Sequence, residues 1–175
     1  MRLHYFAIVF FSIFSLNQIH AQSELKLFEV VQDAEEKKFL KGFISKDQIT
    51  NDADFGWYQQ NLKYAKPNKE YVDIIKEKAY DFQIILFLGT WCHDSQQILP
   101  KYFALLEAAE FPDHQMVLIA CDRQKIAPAN IQRPLKVVNV PTLIVMKEGK
   151  EVGRIREFGE TGLVDKELAD LVKAL

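Results

Sequence analysis

The chain has 175 residues, of which 49% are hydrophobic and 26% are charged, and its formal net charge is -2. This length suits one compact domain with an appendage, and the composition is ordinary for a globular protein. Lysine and arginine are interspersed with aspartate and glutamate, so there is no basic run of the kind that binds nucleic acid. We therefore expect no nucleic-acid partner.

The first 21 residues have the pattern of a secretory signal peptide. Arg2 precedes an apolar run from Tyr5 to Leu16, and the small residue Ala21 stands where a cut is expected. The run is too short for a permanent membrane span. The sequence therefore predicts a cleaved leader, a mature chain that is periplasmic or secreted in a bacterium, and no stable membrane insertion after cleavage. An uncleaved anchor is the alternative, because Arg2 is the single basic side chain at the start apart from His4.

Residues 22–66 are predicted to form an N-terminal extension that packs on the core. A first strand or a short helix is expected between Leu25 and Val31, and the sequence Ser45-Lys46-Asp47-Gln48 has the form of a capping box, which predicts a short helix. Aromatic residues are dense between Asp54 and Tyr64, which favours packing on a neighbouring domain over a ligand-binding patch. As a whole, the extension is expected to be a small helical cap on the sheet.

Residues 67–175 alternate between helical and strand patterns and are predicted to form one α/β domain. Helices are expected at 69–80, 95–110, parts of 128–136 and 162–175, and strands at 84–88, 116–120, 143–146 and 152–156. Strands joined by helices pair in parallel, whereas the tight turn Glu148-Gly149 predicts an antiparallel last pair. The expected sheet is mixed, has about four to five strands and is flanked by helices.

The clearest chemical signal comes after the apolar strand at 84–88, in the residues Gly89-Thr90-Trp91-Cys92-His93-Asp94-Ser95. Continuous apolar character predicts a strand buried on both faces, and the polar residues after Cys92 predict the first turn of a helix. The unpaired N–H groups at a helix start stabilise a thiolate, which is the reactive form of cysteine. A protonated His93 would assist, and the hydroxyl of Ser95 is placed to donate to the sulfur. The alternative is that Cys92 is a small buried apolar residue.

With its later motifs, the sequence resembles the thioredoxin-like superfamily over roughly residues 69–175. The features are Trp91-Cys92 after a buried strand, Pro100 in the next helix, Val140-Pro141-Thr142 before a strand, the Glu148-Gly149 hairpin and a closing amphipathic helix. The resemblance implies a thioredoxin-like α/β fold. It also implies a cis Val140–Pro141 bond, with Pro141 against the active cysteine and the backbone of Val140 pairing with an extended substrate.

The active-site motif departs from the family pattern. Family oxidoreductases carry Cys-x-x-Cys, whereas this chain has Cys92-His93-Asp94-Ser95. Because Ser95 cannot release a mixed disulfide, Cys92 alone favours mixed-disulfide exchange or isomerisation over net reduction. The nearest pattern is a secreted bacterial subgroup with a single-cysteine Trp-Cys-x-Asp-Ser motif. The resemblance implies thiols and disulfides of proteins or small molecules as partners. The catalytic residues are then Cys92, Ser95 and Pro141, and the substrate-binding residues are Trp91, His93 and Val140.

Cys121 ends the strand predicted to lie parallel to the central one, so it should emerge at the same sheet edge as Cys92. Two roles are open for it: an apolar core residue, or a resolving thiol that bridges to Cys92. A bridge requires Cα atoms within about 7 Å of each other.

No metal site and no cofactor are expected. Cys92, His93 and Asp94 are adjacent in sequence and lack the spacing of zinc ligands. The alternative function is a non-catalytic binding module that uses the groove between Cys92 and Pro141, because a fold alone does not determine a function.

Overall fold

The computed structural model describes residues 27–35 and 37–175, so the predicted leader lies outside the described residues. One sheet is formed by six strands in the order β1-β2-β4-β3-β5-β6. The strands are β1 Phe28–Gln32, β2 Lys38–Ile44, β3 Gln83–Leu88, β4 Met116–Ala120, β5 Thr142–Lys147 and β6 Lys150–Arg156. The α-helices are α1 Asp47–Thr50, α2 Trp57–Leu62, α3 Lys69–Glu77, α4 His93–Ala108 and α5 Val164–Lys173. These elements confirm the predicted α/β fold, in which a mixed sheet is flanked by helices.

The central strand β3 is apolar from Ile84 to Leu88 because both faces of the sheet are covered there. Leu86 and Leu88 belong to the larger core cluster, whereas Phe87 belongs to a smaller one. Successive residues of a strand point to opposite faces, so the two clusters lie on opposite sides of the sheet. β3 pairs in parallel with β4 and antiparallel with β5. The turn after β3 therefore leaves the middle of the sheet.

Helices α2 to α5 all contribute to the larger cluster, through buried residues that include Tyr58, Ile75, Tyr102 and Leu168. The smaller cluster is covered by the segment between β4 and β5. Of the helix predicted within residues 128–136, a short 3-10 turn at Pro128–Asn130 is present, and turns come after it. The buried members of the smaller cluster are Phe87, Ile119, Cys121, Ala127, Val137, Val140 and Ile144.

The N-terminal extension differs from the predicted helical cap. Strands β1 and β2 form an antiparallel hairpin, and β2 pairs antiparallel with β4. The extension thus adds two strands and brings the sheet to six, beyond the four to five predicted. Gly42 permits the close pairing, because its φ is +134° and a Cβ there would lie 2.4 Å from the Cα of Phe28. The short helix predicted after Ser45 is present as α1.

Helix α4 begins at His93 rather than at Ser95, so its N-cap residue is Cys92. Pro100 lies inside this helix and is buried. Among the helices of the described residues, none combines the length and the apolar character that a membrane crossing requires.

Candidate functional site

A tight turn joins β3 to α4 and carries the candidate nucleophile. The Cys92 N–H donates to the carbonyl oxygen of Gly89 at 2.9 Å, which closes the turn. Glycine at position 89 leaves room for the indole, because a Cβ there would lie 2.8 Å from Cε2 of Trp91 and would displace the ring. Thr90 is buried, and its hydroxyl oxygen accepts the Leu40 N–H at 3.0 Å. The turn is therefore fixed against β2 as well as against β3.

Cys92 is partly exposed at the start of α4. Its carbonyl oxygen accepts the Gln96 N–H at 3.0 Å, which is the first bond of the helix, so the N–H groups of residues 93–95 have no partner within the helix. The Cys92 thiol donates to the carbonyl oxygen of Val140, with 3.2 Å between Sγ and O. The sulfur thus lies between the start of a helix and the loop that precedes β5.

The loop before β5 is held in place by hydrogen bonds on both sides of Pro141. The Val140–Pro141 peptide bond is cis, and both residues are buried. Oγ1 of Thr142 donates to the Asn139 carbonyl oxygen at 2.8 Å, and the Glu157 N–H donates to the Pro141 carbonyl oxygen at 2.8 Å. The Val140 carbonyl consequently has a defined position facing Cys92.

Ser95 and His93 make contacts of their own. Ser95 is fully buried, and its hydroxyl oxygen accepts the Gly89 N–H at 3.2 Å, so it supports the turn. His93 is exposed, and its Nε2 accepts a hydrogen bond from Nε2 of Gln97 at 2.8 Å. Over the described residues, the hydrogen-bond partner of the Cys92 sulfur is Val140 rather than either of these side chains. The roles that the sequence assigned to Ser95 and His93 stay predictions.

The indole of Trp91 lies across the ends of the two parallel strands. Its Nε1–H donates to the carbonyl oxygen of Cys121 at 2.9 Å. The guanidinium of Arg123 lies 5.7 Å from the Trp91 ring and 6.0 Å from the Phe39 ring, and it forms an ion pair with Asp33. These contacts fix the ring beside the nucleophile. Sequence reasoning missed Arg123 because its partner lies in the N-terminal hairpin and no local pattern connects the two.

Cys121 comes directly after β4, and its N–H donates to the Leu88 carbonyl oxygen at 2.8 Å, which continues the parallel pairing as far as the turn. Both cysteines are free thiols. Burial raises the pKa of the Cys121 thiol to about 12, the Asp122 carboxylate adds to this effect, and the Lys41 ammonium opposes it. The folded protein therefore keeps this thiol protonated at neutral pH. The burial of Cys121 fits its role as an apolar core residue. Its role as a resolving thiol that bridges to Cys92 stays a prediction, and it requires the Cys121 side chain to become exposed.

Charges close to Cys121 are paired with each other. Nζ of Lys41 donates to a carboxylate oxygen of Asp122 at 2.8 Å. Burial alone would raise the pKa of Asp122, but the hydrogen bonds from Lys41 and from the backbone of Ile126 lower it overall. Across residues 27–35 and 37–175, no group of three or more His, Cys, Asp or Glu side chains is arranged to hold a metal ion.

The sequence of this chain matches a protein-family model and a known relative. The family model described as thioredoxin matches residues 63–172. A thioredoxin-like protein of Acanthamoeba polyphaga mimivirus is 31% identical over 80 residues, which are 46% of this chain and 56% of that protein. The match thus spans little more than half of the viral relative.

Two solved structures are also similar to this chain. An HIV epitope scaffold is 12% identical, with a TM-score of 0.51 over 69% of this chain and 82% of that chain. Mitochondrial thioredoxin 3 of Saccharomyces cerevisiae, in its oxidised form, is 21% identical, with a TM-score of 0.40 over 66% of this chain and 99% of that chain. The family-model match and the topology together confirm a thioredoxin-like α/β fold.

Proposed function

The chain belongs to the thioredoxin family, and we propose that it works outside the cytoplasm as a member with one cysteine in its active-site motif, and that it exchanges thiols and disulfides through Cys92. The observation that carries the proposal is the position of the Cys92 sulfur. Cys92 is partly exposed at the start of α4, and its sulfur is 3.2 Å from the carbonyl oxygen of Val140. Family membership supports thiol or disulfide substrates, and this position supports Cys92 as the nucleophile.

The proposed reaction needs one protein sulfur. Cys92 loses its proton to solvent, and its thiolate attacks one sulfur of a disulfide. A new S–S bond joins Cys92 to that sulfur while the old S–S bond breaks, and the second sulfur leaves with the electron pair as a thiolate. The unpaired N–H groups of residues 93–95 supply positive partial charge next to the attacking sulfur.

The second step requires a thiol from outside the chain. Ser95 has no sulfur, and its hydroxyl oxygen is engaged by Gly89. Cys121 is fully buried, and its pKa is raised to about 12, so it contributes almost no thiolate at neutral pH. An external thiolate therefore attacks the mixed disulfide and frees Cys92. The overall reaction is exchange or isomerisation, with no net change in the oxidation state of the protein.

The location outside the cytoplasm is supported by the leader pattern. The motif Trp91-Cys92-His93-Asp94-Ser95 fits the secreted bacterial subgroup with Trp-Cys-x-Asp-Ser. We expect the protein in the periplasmic or secreted fraction of its native cells to begin at Gln22, as determined by intact mass. A chain that begins at Met1 and stays in the cytoplasmic fraction would contradict this part of the proposal.

Exchange is tested with 2-hydroxyethyl disulfide, followed by non-reducing mass spectrometry. The wild-type chain should form one adduct, on Cys92, and this adduct should persist until an external thiol is added. The variant Ser95→Cys should release its adduct at least about tenfold faster, because a second thiolate in the same turn attacks intramolecularly. Ser95→Ala is the control for the loss of the serine and should keep the long-lived adduct.

The same experiment separates the alternative of a binding module. That alternative is favoured by Ser95, which stands where the motif would carry a second cysteine, and by the Val140 carbonyl that engages the Cys92 thiol. If Cys92 forms no adduct under conditions that modify a free small thiol, the exchange proposal is wrong and the binding module stands. If Cys92→Ala still forms an adduct at the wild-type rate, the assignment of the nucleophile is wrong.

A further inference from the structure

The loop that follows β6, residues 157–162, is connected to the candidate site by the backbone. The Glu157 N–H donates to the Pro141 carbonyl oxygen at 2.8 Å. Pro141 comes directly after Val140, whose carbonyl oxygen accepts the hydrogen bond from the Cys92 thiol. A movement of the loop therefore acts on the segment that faces the nucleophile.

Neither local preference nor apolar packing explains the conformation of this loop. Glu157 has a φ of +50°, which lies in the left-handed region that residues with a side chain rarely adopt. Phe158 and Thr161 are exposed. A cavity of about 470 Å³ is lined by residues of the loop, of β6 and of α5, so packed side chains do not fill the space between them. Other contacts must hold the loop in place.

The carboxylate of Glu167, on α5, supplies these contacts. Its Oε1 accepts the Thr161 N–H at 2.7 Å and the Thr161 hydroxyl at 2.6 Å. The loop backbone lies directly against the carboxylate, because a Cβ at Gly159 would overlap Oε2 of Glu167. Burial alone would raise the pKa of Glu167, but the hydrogen bonds from Thr161 and from the Glu160 N–H lower it overall. The loop is thus held by a charged acceptor.

Building on the proposed function, we propose that Glu167 is a positioning residue for the exchange of disulfides in extended polypeptides. By holding the loop, its carboxylate fixes Pro141 and with it the Val140 backbone, which the family resemblance implies as the pairing partner of an extended substrate. In the reaction, the Cys92 thiolate forms an S–S bond to one substrate sulfur, the substrate S–S bond breaks, and the other half leaves as a thiolate with its electron pair. Glu167 does not take part in the sulfur chemistry.

Two uncharged disulfides test this proposal. One is the symmetric disulfide of an N-acetylated pentapeptide amide, in which a central cysteine is flanked by glycine and alanine. The other is 2-hydroxyethyl disulfide, which has no peptide backbone. The rate of adduct formation on Cys92 is measured by mass spectrometry and divided by the rate with free N-acetylcysteinamide. The pairing ratio is the normalised rate for the peptide over that for the small disulfide, and we expect about ten for the wild-type chain.

Variants of the carboxylate and of its donor should lower the pairing ratio. Glu167→Ala should lower it at least about fivefold and leave the normalised rate for 2-hydroxyethyl disulfide almost unchanged, because the small disulfide needs only the sulfur. Glu167→Gln keeps an oxygen that accepts from Thr161, so it should retain at least about half of the wild-type ratio. Thr161→Val removes one donor at an exposed position, so it folds even if Glu167→Ala does not, and it should lower the ratio at least about twofold.

Two control variants on α5 separate positioning from charge and from stability. Asp170→Ala removes the same charge from an exposed side chain that is paired with Lys166. Val172→Ala removes buried apolar contacts and so destabilises the fold from the same helix. In the part of the chain that the structure describes, neither side chain is hydrogen-bonded to the loop. Both controls should therefore keep the wild-type ratio at temperatures where they are folded.

The outcomes distinguish this inference from the proposed function. If 2-hydroxyethyl disulfide fails to modify Cys92 in the wild-type chain, the exchange function is wrong and this inference fails with it. If it reacts but the wild-type pairing ratio is about one, or the folded variants at Glu167 and Thr161 keep the wild-type ratio, the positioning role is wrong and the exchange function stands. An equal loss in Asp170→Ala or Val172→Ala would reflect charge or stability alone and would also overturn the positioning role.

Discussion

The two cysteines end neighbouring parallel strands at the same edge of the sheet, yet their surroundings are opposite. Cys92 lies beyond the end of β3, starts α4 and is partly exposed, with its sulfur against the Val140 carbonyl. Cys121 lies beyond the end of β4 and is fully buried, and its pKa is raised to about 12. The same end of two neighbouring strands thus leads to one candidate nucleophile and to one core residue.

The difference arises from the segment that each strand leads into. After Cys92 the chain enters a helix, whose first N–H groups remain unpaired and favour a negative charge. After Cys121 the chain folds back over the sheet, and Val137 and Val140 of that segment enclose the thiol in the smaller core cluster. Reactivity at this sheet edge is therefore determined by the covering segment and not by the strand that carries the cysteine.

The largest expected effect concerns the buried thiol at high pH. Burial raises the pKa of the Cys121 thiol from an ordinary value of 9.0 to about 12 in the fold, so the unfolded chain releases this proton first. Below about pH 9 the thiol is protonated in both states, and its contribution to the free energy of unfolding is fully present. This contribution is lost as pH rises towards about 12. Integrated over this window, the loss is at most about 4 kcal/mol.

This effect is measured as the free energy of unfolding in urea at several alkaline pH values. Other groups titrate in the same range, so the wild-type chain is compared with Cys121→Ala, and the difference between the two curves isolates the thiol. The two proteins should converge as pH rises from about 9 to about 12. Parallel curves would mean that Cys121 ionises as readily in the fold as in the unfolded chain, and the comparison of the two cysteines would fail.

An intermediate effect is expected at the turn that carries Cys92. In Ser95→Ala the buried N–H of Gly89 loses its acceptor, which should cost about 2 kcal/mol of unfolding free energy. Gln59→Ala is the control, because Gln59 is exposed on α2 and its replacement should change stability by less than about 0.5 kcal/mol. Equal effects in urea unfolding would show that the Ser95 hydroxyl does not support the turn.

The smallest effect concerns the link between the two cysteines. Trp91→Phe removes the hydrogen bond from the indole to the Cys121 carbonyl and should cost about 1 kcal/mol more than Trp57→Phe. The comparison is matched, because Nε1 of Trp57 is buried and has no hydrogen-bond partner in the described residues. Thermal unfolding of both variants measures the difference. A larger loss in Trp57→Phe would show that the Trp91 contact contributes little.

Local patterns were sufficient to predict the central part of the site. The apolar run of β3 and the polar residues after Cys92 predicted a strand-to-helix junction, and both elements are present. The closing hairpin was also predicted, because Glu148-Gly149 is a strong turn signal, and β5 and β6 pair antiparallel around it. Each of these features depends on residues that are close together in sequence.

Features that depend on distant residues were missed. In the hairpin of β1 and β2, β2 has buried positions, whereas β1 is mostly exposed at the sheet edge. The alternation of apolar and polar residues that predicts a strand is therefore weak in β1. The ion pair between Arg123 and Asp33 joins residues that are 90 positions apart. The surroundings of Trp91 likewise combine residues that are distant in sequence, such as Lys37 and Arg123. The core role of Cys121 was one of the two roles that the sequence left open, and its burial fits that role.

Alkylation of the folded protein with iodoacetamide at neutral pH, followed by peptide mass spectrometry, tests the contrast between the two thiols most directly. Cys92 should be labelled at least about 100-fold faster than Cys121, because alkylation requires an accessible thiolate. In denaturant the two rates should become similar, which controls for the intrinsic reactivity of each peptide. Equal labelling in the folded protein, or labelling of Cys121 before Cys92, would contradict the account.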